Sequence, residues 1–218
     1  MEAPAGMQYN RRMKMDGLAF LARLEENTIP VAFFDPQYRG ILDKLNYGNE
    51  GVERGKARCR LEQMSDSAIR AFILGISTCL MPSGHVFLWM DKFHLCTGFA
   101  GWLEGTALDV VDMLTWDKGR MGMGYRTRRT SEHVVVLQKH PRRAKGVWCV
   151  HNIPDVWRED VKRNSGHTHS KPVMAQAALI AAVSHPSDVV IDPAAGSFSV
   201  LEACRNTGRN FLGCDLNG

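Results

Sequence analysis

The chain contains no apolar run long enough to cross a bilayer, no Cys-x-x-Cys pair, no internal repeat and no low-complexity tract. A membrane-spanning helix needs about 20 consecutive apolar residues, so the first absence argues against a membrane partner. Met1 to Arg12 also lacks the apolar centre of a signal peptide, which makes the cytoplasm the expected location. The six cysteines (Cys59, Cys79, Cys96, Cys149, Cys204 and Cys214) are scattered, and reduced, mostly buried thiols are expected in place of disulfides. A length of 218 residues suits one domain, 1–218, with room for one insertion. Apolar and charged shares of 44% and 23% are those of an ordinary soluble globular protein. Acids are nearly missing from one stretch. Between Lys118 and Lys145 nine basic residues are opposed only by Glu132, so a mild net charge of +4 is unevenly placed. Such a run is either a solvated face or a phosphate-binding surface.

Near the start, Val31-Ala32-Phe33-Phe34 runs straight into Asp35-Pro36-Gln37-Tyr38. An unbroken apolar run ended by a proline reads as a buried strand whose carboxyl end meets a turn. In open parallel α/β sheets that end is where ligands sit. The Asp35 carboxylate can accept one hydrogen of an amine and the Pro36 carbonyl the other, while Tyr38 can stack on a flat base. An exocyclic amine of adenine or cytosine suits this set. An ordinary Asp-Pro turn is the alternative at this point.

Along the chain, Asp16 can cap a short helix carrying Leu18, Phe20, Leu21 and Leu24. Arg39 to Met64 reads as a long polar loop beside the candidate site. Ser65 or Asp66 opens a helix to about Cys79. Pro82-Ser83-Gly84 then turns the chain into a strand over Val86–Met90, and one helix is expected over Phe93–Leu103. Ala107–Trp116 and Ser131–Gln138 read as two strands joined by a basic loop. Helices are expected over Val173–Ser184 and Ser199–Asn206, and strands over Asp188–Asp192 and Asn210–Cys214. Alternating strands and helices predict an α/β fold with a parallel sheet covered on both faces.

The second informative stretch is Asp192-Pro193-Ala194-Ala195-Gly196-Ser197-Phe198 after Val189-Val190-Ile191. It reads as strand, glycine turn, helix. Gly196 allows close backbone approach, and the helix start offers N–H groups to a carboxylate or phosphate. Asp215, about twenty residues past the turn at the end of another strand, fits a ribose diol.

Asp-Pro-x-Tyr after one strand and Asp-Pro-x-x-Gly-Ser after another together resemble the S-adenosylmethionine-dependent DNA amino-methyltransferases of the permuted β class, adenine-N6 type. His167-Thr168-His169-Ser170-Lys171-Pro172 resembles that family's Lys-Pro cofactor segment. Gly122 to Arg126, leading into Glu132 to Leu137, resembles its hairpin near the target base. The resemblance implies a Rossmann-like, seven-stranded, mostly parallel sheet with one antiparallel edge strand and permuted motif order. It implies site-specific methyl transfer to adenine N6 in DNA by base flipping and direct attack, with cytosine N4, RNA adenine, a protein amide or a binding module without turnover as alternatives. Asp35, Pro36, Gln37 and Tyr38 become the catalytic set. Asp16, Lys171, Pro172, Asp192, Pro193, Ala194, Gly196, Ser197, Phe198 and Asp215 become the cofactor set. The family pattern has a second proline where Gln37 stands, a phenylalanine at Ala194 and a glycine at Phe198.

DNA is the implied partner, with Arg39, Arg126, Arg128, Arg129, Arg142 and Arg143 as candidate phosphate contacts and 139–170 as a small target-recognition insertion. A homodimer and a cognate restriction endonuclease are further partners to be tested. The protein is expected at the nucleoid of a prokaryote or a phage-infected cell. Cys149, His151, His167 and His169 are too closely spaced for usual structural zinc ligands, and no metal is expected.

Overall fold

The computed structural model describes residues 3–37, 64–122, 126–160 and 171–218. Tyr38, Arg39, most of the loop to Met64, and His167 and His169 fall outside the described residues. The strands are β1 (Met13–Lys14), β2 (Ile29–Phe34), β3 (Leu80–Met90), β4 (Leu108–Asp117), β5 (Ser131–Lys139), β6 (Val156–Arg158), β7 (Val189–Asp192) and β8 (Asn210–Asp215). The helices are α1 (Gly17–Leu21), α2 (Asp66–Cys79), α3 (Lys92–Thr97), α4 (Ala100–Leu103), α5 (Val173–Val183) and α6 (Ser199–Thr207).

The strands form one sheet in the order β1-β8-β7-β2-β3-β5-β4-β6. Successive side chains of a strand point to opposite faces, and here both faces are apolar. Ala32, Phe34, Val86, Leu88 and Ile191 face α1 and α2 through Phe20, Leu21, Phe72, Ile73 and Ile76. Val31, Phe33, Phe87, Trp89, Val190 and Phe211 face α5 and α6 through Ala177, Ile180, Val200, Leu201 and Ala203. This double cover is why the central strands read as continuous apolar runs.

All pairings are parallel except those of β5 with β3 and β4. The expected α/β class and mostly parallel sheet are found, with two corrections. Eight strands are present among the described residues in place of seven, and the reversed strand lies inside the sheet in place of at its edge. Burial explains the second correction. Val134 to Gln138 of β5 are buried, whereas β4 exposes Val110, Val111, Asp112 and Met113. The more apolar arm of the hairpin therefore takes the inner position, although it comes later in the chain.

Other differences are local. Gly98, at φ +97, divides the expected Phe93–Leu103 helix into α3 and α4. Pro82-Ser83-Gly84 does not precede β3 but runs within it. The pairing shifts from Ile29–Leu80 to Val31–His85, so the extra residues are absorbed as an irregularity against β2. The capping residues behave as expected: Asp16 accepts the Ala19 N–H at 2.9 Å and Ser65 the Ala68 N–H at 3.2 Å.

Topology then makes a crevice. The β2–α2–β3 crossover lies on one face and β7–α6–β8 on the other. β2 and β7 are neighbours, so the chain leaves their carboxyl ends in opposite directions. Such a switch point leaves a gap above the strand ends that can receive a ligand.

Candidate active site

Three adjacent parallel strands, β2, β7 and β8, each end at an acid on this rim: Asp35 just past β2, Asp192 closing β7 and Asp215 closing β8. The sequence places each acid at a strand end, and the sheet order brings the strands together. Asp192 is 6% exposed. Burial pushes its carboxyl up to about 8 against the pull of the Ala194 N–H, and the nearby Asp35 and Asp215 push it the same way.

The glycine turn sits between Asp192 and α6. Gly196 is exposed with φ +49, a conformation that glycine adopts without a steric penalty. Its N–H donates to Asp215 Oδ2 at 3.2 Å, and the Asn217 N–H donates to Oδ1 at 2.9 Å. The acid expected at a ribose diol is thus already oriented by the turn. Pro193 is buried, Ala194 and Ser197 half-buried. Phe198 is 3% exposed and packs edge-on against Phe211, with Arg12 over its ring at 5.2 Å. Its ring belongs to the core, so only its backbone faces the turn. Gly17 brings Asp16 to the same rim: a Cβ there would lie 2.3 Å from the Pro193 carbonyl oxygen and 2.4 Å from the Phe72 ring. A carboxylate held by the turn at Asp215, a close backbone approach at Gly196 and a dipole-bearing helix behind them form a set that fits S-adenosylmethionine.

On the β2 side, Pro36 is buried and Gln37 exposed. The Gln37 carbonyl accepts the Met64 N–H at 2.9 Å, which brings Met64 back to the rim. Lys171, expected in the cofactor set, meets two carboxylates and an aromatic ring. Its ammonium stands 3.0 Å from Asp35 Oδ2, 2.8 Å from Glu132 Oε2 and 4.6 Å from the centre of the Trp89 ring. It therefore bridges carboxylates at the Asp35 end of the crevice. Burial would lower its pKa, but Asp35 and Glu132 outweigh that and raise it. Burial likewise pulls Glu132 upward, yet Lys171 and Lys118 hold it down at about 2. Pro172 begins α5 without a side-chain cap, and Glu159 supplies one by accepting the Met174 and Ala175 N–H groups at 3.0 and 2.9 Å.

Glu132 and Glu159 escaped sequence reasoning. Glu132 was visible as the single acid in the basic stretch and as the start of the hairpin resemblance, but neither signal gave it a partner. Glu159 lies just past β6, which falls within 139–170 and pairs with β4, so part of that stretch is built into the sheet.

The basic stretch is divided. Because β5 is antiparallel to β3, its start pairs near the site (His133 with Met90) and its end pairs at the opposite rim (Gln138 with His85). Nine residues of strand at about 3.3 Å each separate these ends by roughly 25 Å. Arg126 and Arg128 are exposed in the β4–β5 connection on the site side, and Arg129 lies half-buried over the Phe93 ring at 5.9 Å. Arg142 and Arg143 follow the far end, where Arg142 pairs with Asp109 at 3.2 Å. The five described arginines of that set therefore do not form one surface.

A family model described as DNA methylase matches residues 61–218. The type II methyltransferase M.HhaII of Haemophilus parahaemolyticus is 53% identical over 208 residues, covering 95% of this chain and 91% of that protein. Among solved structures, the M1.HpyAVI–SAM complex matches with a TM-score of 0.64 at 17% identity, over 94% of this chain and 92% of that one. The cytosine-N4-specific PvuII DNA methyltransferase matches with a TM-score of 0.70 at 14% identity, over 99% and 85%. At such identities the structural likenesses speak to the fold alone. The family match and the M.HhaII relative speak to descent, and by them this chain belongs to the S-adenosylmethionine-dependent N6/N4 family of DNA methyltransferases.

Proposed function

We propose that the chain methylates the N6 amine of adenine at a specific site in DNA, and that it does so on a base turned out of the duplex. The observation that carries this reading is the placement of Asp35, an aspartate followed by a proline, at the switch point beside the Asp192–Ser197 turn. In this family an aspartate at that position leans towards adenine. S-adenosylmethionine supplies the electrophilic methyl group. The chain's own residues prepare the amine that receives it. Asp35 accepts one amine hydrogen and the Pro36 carbonyl the other, drawing the nitrogen lone pair out of conjugation with the ring. Positioning and fixed charge then provide the rate, with no covalent enzyme intermediate. Tyr38 is assigned to stacking on the extruded base, whose removal costs a few kcal/mol. Asp16, Lys171, Pro172 and the Asp192–Phe198 turn were all expected at the cofactor. The geometry supports keeping Asp16, the turn and Asp215 in that role, with Asp215 on the diol.

Arg126, Arg128 and Arg129 are assigned to DNA phosphates on the site side, and target recognition to the part of 139–170 outside β6. The type II name of the M.HhaII relative supports pairing with a restriction endonuclease. A homodimer is tested by light scattering with and without DNA. The activity is tested by mass spectrometry of nucleosides from DNA incubated with the protein and S-adenosylmethionine. N6-methyladenine is expected. N4-methylcytosine in its place would move the chain to the cytosine branch of the family.

A further inference from the structure

We propose that Glu132 is a positioning residue for methyl transfer, acting through Lys171 on Asp35; this rests on the reading of Asp35 as the acceptor of the amine hydrogen. The three groups come from distant parts of the chain: Asp35 past β2, Glu132 on β5 and Lys171 ahead of α5. The Lys171 ammonium has three hydrogens and three neighbours. Asp35 Oδ2 lies at 3.0 Å, Glu132 Oε2 at 2.8 Å and the Trp89 ring face at 4.6 Å. The Lys171 side chain is only 15% exposed, Glu132 30% and Asp35 34%, so the lysine is the innermost member of the cluster.

Each contact has a separate physical effect. Lys171 fixes one oxygen of Asp35 and so fixes the plane of the carboxylate that must meet the amine. A lysine on a four-carbon stem facing one carboxylate could follow it through several rotamers. Glu132 removes that freedom by holding the ammonium from the other side. Glu132 is itself anchored by Lys118, whose ammonium lies over the Trp116 ring at 5.5 Å. It also sits on β5 directly opposite Trp116, and Trp116 donates to the Glu159 carbonyl at 2.8 Å. The anchor chain therefore runs from the sheet, through Glu132 and Lys171, to Asp35. Glu132 also offsets one positive charge in a crevice whose cofactor is a sulfonium cation. A displacement of about 1 Å at a reacting group is enough to cost two orders of magnitude in rate.

The test uses the full-length protein, S-adenosylmethionine and a DNA substrate that the wild type methylates. Glu132→Gln should slow single-turnover methyl transfer at least tenfold while the calorimetric Kd for S-adenosylmethionine stays within about threefold. Lys171→Met should give the same split. The double variant Glu132→Gln/Lys171→Met should be no slower than Lys171→Met alone, because two residues acting through one contact are not additive. Glu132→Asp, which keeps the charge at a shorter reach, should recover part of the rate and serves if the glutamine variant folds poorly. Wild-type rates in both Glu132 variants, fully additive losses in the double variant, or a Kd raised tenfold at an unchanged saturating rate would each overturn the proposal. Wild-type protein that transfers no methyl group to DNA would overturn the underlying reading instead, and the proposal with it.

Discussion

The stretches flanking the two ends of β5, 126–129 and 139–143, are alike basic in sequence, and the two ends differ in use. At the start, Lys118, Lys171, Glu132 and Asp35 form an ionic cluster at the Asp35 end of the crevice. At the end, Lys139 is the basic residue, and its ammonium donates to the Ser77 and Leu80 carbonyls at 2.6 and 2.7 Å and to Asn27 Oδ1 at 2.9 Å. Gln138 works beside it, donating to the Ser83 and Arg143 carbonyls at 3.1 and 2.7 Å and accepting the Arg143 N–H at 2.9 Å. At the near end, cations set the state and position of carboxylates. At the far end, Lys139 satisfies the loose carbonyls where α2 ends and β3 begins. A run of basic residues thus has no single meaning. Which partner each cation meets depends on which rim of the sheet it reaches.

The largest effect should come at the near end. Asp35→Ala should abolish methyl transfer while S-adenosylmethionine affinity stays within a few-fold, because the carboxylate is assigned to the amine and the Asp192–Ser197 turn to the cofactor. Calorimetry alongside a labelled-methyl assay separates these, and substantial retained turnover would remove Asp35 from the catalytic role. At the far end, Lys139→Met should lower unfolding stability by about 1–3 kcal/mol, the cost of stranding buried carbonyl acceptors, with kcat near the wild-type value. Denaturant titration is the check, and lost activity in a stably folded variant would dissolve the distinction between the two ends.

The third comparison sets the two arginine groups against each other. Neutralising Arg126 and Arg128 should weaken binding to DNA of any sequence and flatten the log–log salt dependence by up to about two units. Neutralising Arg142 and Arg143 should leave that slope almost unchanged. Equal changes from both pairs would mean that the DNA wraps far enough to reach the opposite rim.

Much of the fold was legible because burial on both faces leaves a direct trace. Phe33-Phe34 and Val190-Ile191 are apolar runs ended by Asp-Pro, and each lies where a buried parallel strand should end. Asp35, Asp192 and Asp215 were found this way, since an acid after such a run has only the rim to occupy. The rank of β4 and β5 was less legible. It follows from a difference in burial between two β-branched strands, and the exposed Val110, Val111 and Met113 are apolar all the same.

The sequence by itself determined the α/β class, the acids at the strand ends, the glycine turn and the caps. These are local properties, set by side-chain period, backbone freedom and hydrogen bonding within a few residues. Only the tertiary structure decided that Lys171 meets Asp35 and Glu132, that Phe198 turns its ring into the core, and that the basic stretch is split between two rims. Those outcomes depend on which strand pairs with which, in which direction and in what register. In a strand, a reversal of direction carries its two ends to opposite rims without altering the residues that form it.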